Sequence, residues 1–194
     1  MDKAIAEAIR VFKNGGIVIF PTDTAYAIGC RIDNENAVKR LFKIRKRPEN
    51  KPLLALVNSV GMAEDYLLTI PRKVKEELIN PYWPGKLTIV LRSKINKVPS
   101  LVTAGTNTLG VRLPDNKVLL ELIAGVEVPI LAPSANFSGE KTPFKFKDLD
   151  PDLVELSDFV LSGEAQSEKN VSTIIDCSNV PWKIIREGAV KLSL

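Results

Sequence analysis

The chain has 194 residues, 45% of them hydrophobic and 26% charged, with a net charge of +4 and no histidine. That length and composition suit one soluble domain with a sizeable core. The missing imidazole excludes Ser-His-Asp and Cys-His catalysis, histidine-ligated zinc and a histidine general base. No apolar run approaches the roughly 18 residues that span a bilayer, so no membrane partner is expected. Asp2 and Glu7 break up any signal-peptide pattern. Cys30 and Cys177, far apart, suggest no disulfide framework, and cytoplasmic residence is the expectation.

In chain order, Asp2 is placed to cap a first helix with Ile5, Ala8, Ile9 and Phe12 on one face and Gly15-Gly16 at its end. Ile17 to Phe20 reads as a short buried strand that stops at Pro21, which cannot donate to a ladder. Thr22, Asp23 and Thr24 follow on a tight turn, and Gly29 is expected to close the segment. Such side chains can grip a polar ligand or bond their own backbone. Asp33 or Asn34 caps a second helix with Ala37, Val38, Leu41 and Phe42 inside; Arg45 to Arg47 extend its last turn and Pro48 stops it.

Leu53 to Val57 is a short strand, Gly61 to Leu68 is helical, and Pro71 opens a further helix. Pro81 to Gly85 is a rigid turn, Leu87 to Leu91 a strand, 96–107 loop-like, and Leu109 to Leu113 a strand around Arg112. Asp115 caps a helix with Val118, Leu119, Leu122 and Ile123 inward and Gly125 at its end. A strand over Val128 to Leu131, a helix from Asp150-Pro151, and strands at Phe159–Leu161, Thr173–Asp176 and Lys183–Ile185 complete the pattern. The alternation, without linker or repeat, predicts one α/β domain over residues 1–194, with a mixed, twisted sheet and flanking helices. Strand order is not readable.

Charge is unevenly spread. Between Lys39 and Lys51 seven basic residues face Glu49 alone, so the rest of the chain is net negative. Concentrated positive charge attracts phosphates or nucleic acid, and it also describes a solvated helix face. Polar turns recur at strand ends: Thr106-Asn107-Thr108, Ser134-Ala135-Asn136, Ser172-Thr173 and Arg186-Glu187-Gly188. No G-x-S-x-G surrounds Ser134, and neither a P-loop nor G-x-G-x-x-G occurs.

Taken in order, Pro21-Thr22-Asp23-Thr24-x-Tyr26, Arg45-Lys46-Arg47-Pro48 with Lys51-Pro52-Leu53, Trp83-Pro84-Gly85, Val111-Arg112-Leu113-Pro114, Ser134-Ala135-Asn136, Ser172-Thr173 and Arg186-x-Gly188 form a series. That series resembles the YrdC-type family, the L-threonylcarbamoyladenylate synthases, from about Ile5 to Val190. The resemblance implies a twisted sheet around a positively charged cavity. It also implies a nucleotidyltransferase that joins L-threonine, bicarbonate and ATP into threonylcarbamoyl-AMP and pyrophosphate. A separate transferase complex would then carry the group to tRNA.

By the same resemblance, Arg45, Arg47 and Lys51 are the catalytic, phosphate-holding residues. Thr108, Ser134, Asn136, Thr142 and Arg186 place the nucleotide with Arg47 and Lys51. Thr22, Thr24, Arg112 and Ser172 hold threonine, Arg112 pairing with its carboxylate. Mg²⁺ is expected to arrive with ATP, held by phosphates and water rather than by protein. Carbamate chemistry needs positioning and charge neutralisation more than acid–base groups, which suits a site without histidine.

Three positions depart from the family pattern: Arg45 for Lys, Ala27 for Gly and Leu56 for His. Tyr26-Ala27-x-Gly29-Cys30 also resembles a paralogous branch, but that branch generally lacks the Ser-Ala-Asn retained here. The alternative is a non-catalytic module on the same fold that binds double-stranded RNA or tRNA through its basic segment.

Overall fold

A computed structural model describes residues 2–165 and 171–192. Helix α1 (Lys3–Lys13) begins where Asp2 accepts a hydrogen bond from the Ala4 amide at 2.7 Å, and it buries Ile5, Ala8, Ile9 and Phe12. Gly15, at φ +78°, turns the chain into β1 (Val18–Pro21). After the Thr22–Ala25 turn the chain returns antiparallel as β2 (Tyr26–Arg31), with Phe20 opposite Ala27. Gly29 therefore lies inside a strand and does not close a turn. A Cβ there would collide with the Leu131 carbonyl, so the close approach of that segment to β2 requires glycine.

Helix α2 (Glu35–Ile44) is capped by Asn34, and it ends one residue before the basic triplet. Arg45 is its C-cap and Lys46 turns left-handed at φ 49°, so Arg45 to Arg47 leave the helix instead of extending it. Strand β3 (Leu54–Leu56) and helix α3 (Val60–Tyr66) follow, then a helical stretch over 72–82 with a π-type turn at Lys75–Ile79. Strand β4 (Leu87–Arg92), a short helix (Ser100–Thr103) inside the expected loop, and β5 (Thr108–Arg112) come next.

The helix Lys117–Val126 is capped by Asn116, not Asp115. Val118 is 41% exposed and points outward. Gly125 lies within the helix, where it packs against Ile9 of α1, and the helix ends at Glu127 in a left-handed conformation. The remaining elements are β6 (Ile130–Leu131), a helix at Pro151–Leu156 capped by Asp150, β7 (Phe159–Val160), β8 (Thr173–Asp176) and β9 (Lys183–Arg186).

Among the described residues the strands run in the order β7-β1-β2-β6-β3-β5-β4-β8-β9. The sheet is mixed: β1/β7, β3/β5 and β4/β8 are parallel and the other pairs antiparallel. One face carries Ala55, Ile89, Leu91, Leu109, Val111 and Ile175 and packs with α2, α3 and the 72–82 stretch in the larger core. The other face is covered by α1 and the Lys117–Val126 helix only near β1, β2, β3 and β6. Among the described residues, no helix covers its continuation over β5, β4, β8 and β9. A sheet half-covered on one side leaves a cleft, and the candidate site lies there.

Candidate active site

Strand alternation decides which residues floor the cleft. Thr108, Gly110 and Arg112 of β5, Thr88 and Val90 of β4, and Ile174 and Asp176 of β8 face away from the larger core. Two adjoining spaces form there. A small cavity of about 80 Å³ is lined by Thr22, Thr24, Arg112, Thr142, Ser172 and Arg186 among others, and a cleft of about 400 Å³ includes Arg45, Arg47, Thr88, Thr108, Gly110 and Asp176. Leu54, Ser134 and Arg186 line both, so the two spaces share a wall.

The small cavity is built on the β1–β2 turn. The Thr22 hydroxyl donates to the Ala25 carbonyl at 2.6 Å, accepts from the Thr24 and Ala25 amides, and lies 2.9 Å from the Thr24 hydroxyl. The turn thus bonds its own backbone and also lines a cavity. Asp23 turns away toward Arg112, whose Nη1 donates to its two carboxylate oxygens at 2.6 and 2.8 Å. Both side chains are buried. Asp23 thus already engages the guanidinium expected to pair with a ligand carboxylate, but through Nη1 alone. Arg112 Nε is buried and has no partner among the described residues. A buried, unmet donor costs about 1–3 kcal/mol.

The far wall depends on Gly188. A Cβ there would run into the Val171 carbonyl, and the chain after β9 lies against 171–173, where the Ala189 amide donates to Val171 O at 3.0 Å. This close approach lets Arg186 donate to the Ser172 carbonyl at 3.0 and 2.8 Å and to its hydroxyl at 2.9 Å. The Ser172 hydroxyl also meets Thr88 Oγ1 at 2.9 Å. Burial, and then the nearby Arg112 charge, hold the Arg186 pKa below its ordinary value.

In the larger cleft, Arg45 is buried and braces the Ser-Ala-Asn turn. Its Nε donates to the Asn136 carbonyl and its Nη2 to Asn136 Oδ1, both at 3.1 Å, while its own carbonyl accepts from the Ser138 amide. Asn136 is fully occupied: Oδ1 also accepts from the Ser134 hydroxyl at 2.6 Å, and Nδ2 donates to the Glu140 carbonyl. Arg45 Nη1 is buried without a partner among the described residues. Burial, reinforced by Arg47, lowers the Arg45 pKa to about 10. Arg47, lowered by burial, donates to the Lys51 and Pro52 carbonyls at 3.0 and 2.6 Å.

Most of the residues singled out in the sequence converge. Thr22, Thr24, Arg112, Ser172 and Thr142 meet at the small cavity, Arg45, Arg47 and Thr108 at the cleft, and Ser134 and Arg186 at both. Two do not line either space: Asn136 is consumed in bracing its turn, and Lys51 is exposed, contributing its carbonyl to Arg47. Sequence reading missed the pairing of Asp23 with Arg112, and it missed Asp176 and Gly110 in the cleft. The strand period around Arg112 could have found Gly110, since the two positions are separated by two along one strand.

Comparison with known proteins places the chain in a family. A family model of the Sua5/YciO/YrdC type, described as "Telomere recombination", matches residues 10–188. The threonylcarbamoyl-AMP synthase of Bacillus subtilis is 33% identical over 97% of this chain and 54% of its own length. The structure of Pyrococcus abyssi Sua5 complexed with L-threonine superposes with a TM-score of 0.90 at 35% identity, over 95% of this chain and 54% of that one. An Escherichia coli protein described as uncharacterized, YciO, is 26% identical over 96% of this chain and 90% of its own length. The chain spans about half the length of the first two relatives. With the family model covering nearly all of it, the chain belongs to the Sua5/YciO/YrdC family.

Proposed function

We propose that this chain is a threonylcarbamoyl-AMP synthase, using L-threonine, bicarbonate and ATP and serving the threonylcarbamoyl modification of tRNA. The observation that carries the reading is the shared wall of Leu54, Ser134 and Arg186 between a small, hydroxyl- and arginine-lined cavity and an arginine-lined cleft. A reaction joining an amino acid to a nucleotide needs two such chambers meeting at the reacting atoms.

In this reading the amine of threonine, once deprotonated, attacks the carbon of bicarbonate and water leaves. The resulting carbamate oxygen attacks the α-phosphorus, and pyrophosphate departs. Thr22, Thr24 and Ser172 orient the amino acid, and Arg112 supplies its remaining donors to the carboxylate. Arg186 and Ser134 stand where charge builds at the α-phosphate. Arg45, Arg47 and Lys51 neutralise the departing pyrophosphate, Lys51 by swinging in from solvent. Among the described residues lining the cleft, the guanidinium groups of Arg45, Arg47 and Arg186 outnumber the single carboxylate of Asp176. Mg²⁺ fits as a companion of the phosphates: among the described residues no three acidic or thiol side chains converge. When bound it would screen the phosphate charge.

The test is pyrophosphate release by the purified chain. Release that needs both threonine and bicarbonate supports the synthase. ATP-independent RNA binding with no release would favour the non-catalytic paralogue, and would pass the downstream role with the transferase complex to another protein.

A further inference from the structure

We propose that Thr88 is a positioning residue: it fixes the direction of the Ser172 hydroxyl, so that Ser172 can only donate a hydrogen bond to an occupant of the small cavity. This rests on the amino-acid reading of that cavity, where the oxygen that accepts from Ser172 belongs to the ligand carboxylate. Thr88 lies in β4 opposite Ile174 of β8 and is wholly buried. Its neighbours along the strand are Leu87, Ile89, Val90 and Leu91. Valine has nearly the same shape and suits a strand as well, so the strand itself does not ask for a hydroxyl. A buried hydroxyl is costly unless it is bonded, and here it has a particular partner.

Among the described residues, the one hydrogen-bond partner of Thr88 Oγ1 is Ser172 Oγ, at 2.9 Å. Ser172 Oγ also meets Arg186 Nη2 at 2.9 Å. Arginine can only donate, so it takes one of the two lone pairs of the serine oxygen. Two arrangements of the hydroxyl protons remain. If Ser172 donated to Thr88, the Thr88 proton would be buried with no acceptor among the described residues. If Thr88 donates to Ser172, its proton is met and both serine lone pairs are filled. The second arrangement avoids the unmet buried donor. It leaves the Ser172 proton for an occupant of the small cavity, which Ser172 lines.

Arg112 and Arg186 line the same cavity, and their guanidinium groups are donors as well. With Ser172 fixed as a third donor, these residues together suit an anionic oxygen and offer no acceptor to an N–H group. Without the Thr88 hydroxyl, one lone pair of Ser172 is released. The serine can then turn and present either its proton or that lone pair, and the selection for an acceptor weakens.

The experiment is calorimetric titration of the full chain and its Thr88→Val and Thr88→Ser variants with L-threonine and L-threoninamide, with a thermal melt of each protein. The amide replaces one carboxylate oxygen by an NH2 donor and keeps the rest of the molecule. The wild-type chain should prefer threonine. Thr88→Val should weaken threonine by about fivefold, the worth of one hydrogen bond, and threoninamide much less. Thr88→Ser, which keeps the hydroxyl, should retain the wild-type preference. A merely structural change would weaken both ligands alike, so a parallel loss overturns the proposal. Equal binding of the two ligands by the wild-type chain, no loss of threonine in Thr88→Val, or a Thr88→Ser variant that behaves like Thr88→Val overturns it too. A wild-type chain that binds neither ligand overturns the amino-acid reading itself, and the proposal with it. If Thr88→Val does not fold, Thr88→Ala carries the same comparison: a selective loss of threonine supports the role of Thr88, and a parallel loss or none refutes it.

Discussion

Arg112 Nη1 holds both carboxylate oxygens of Asp23, 89 residues away, with both side chains withdrawn from solvent. This contact ties the β1–β2 turn to the end of β5 and so fixes the mouth of the small cavity. Removing either partner strands a buried charge, at a cost of about 3–5 kcal/mol. Asp23→Ala and Arg112→Ala should each lower stability by that order, and the double variant should lose less than their sum. Urea denaturation of the four proteins measures the coupling; strict additivity would show that the pair is not one unit. On the threonine reading, calorimetry should also find that Arg112→Ala weakens threonine far more than ATP.

The same pair marks the limit of what the sequence shows. Each polar turn could be recognised because it adjoins a run of strand-forming residues, and the helix starts at Asp2 and Asp150 were legible from local chemistry. Whether Arg112 faces a ligand or Asp23 depends on β5 meeting the β1–β2 turn, a long-range fact carried by no local pattern. Strand β2 was missed for a related reason. Tyr26 to Cys30 are all buried, so no alternation separates that strand from the turn before it. The resemblance assigns Asn136 to the nucleotide, and in the structure its side chain is held by other parts of the chain. Its three partners, Ser134, Arg45 and Glu140, come together only in the fold.

Arg40 belongs to the basic run in sequence, but its guanidinium is engaged at Asp158. It donates to the two oxygens of Asp158 at 2.5 and 2.9 Å and to the Leu156 carbonyl at 3.1 Å; Asp158 in turn accepts from the Ile17 amide at 2.6 Å. The ion pair is half-exposed, so Arg40→Gln should cost about 1 kcal/mol or less. Asp158→Ala should cost more, since it also strands a backbone amide beside the core, typically about 1–3 kcal/mol. Denaturation midpoints test the order, and pyrophosphate release should be unaffected by Arg40→Gln. A larger loss for Arg40→Gln would mean its main partner lies elsewhere.

Cys30 is wholly buried in the larger core, and burial pushes its thiol from 9.0 up to about 12. The unfolded chain releases this proton near pH 9, whereas the folded chain keeps it. Stability from the neutral thiol is therefore complete below pH 9 and falls as pH rises toward 12, by at most about 1.4 kcal/mol per pH unit. Urea midpoints measured from pH 7.5 to 10 should decline above pH 9. Cys30→Ala should start lower, because it leaves a small cavity, yet decline less steeply. Parallel slopes in the two proteins would show that other groups govern alkaline unfolding.

The last prediction concerns the crowded guanidinium groups. Burial holds Arg45, Arg47 and Arg186 below their ordinary pKa, Arg47 adds to the effect on Arg45, and Arg112 adds to that on Arg186. Arg45 Nη1 has no partner among the described residues. The folded chain thus carries uncompensated positive charge that an anion in the cleft would offset. Inorganic tripolyphosphate should raise the melting temperature at low salt. At a hundred times its Kd the gain is about 2.7 kcal/mol, roughly 5–11 °C for a chain of this size. Arg47→Ala should remove most of that shift. Lys39→Gln with Lys43→Gln, on the outer face of α2, should leave it nearly intact, because exposed charges are screened over about 8–10 Å. Differential scanning fluorimetry against tripolyphosphate reads all three proteins. If the lysine pair matters as much as Arg47, the anion is held by a diffuse surface field and not by the cleft arginines.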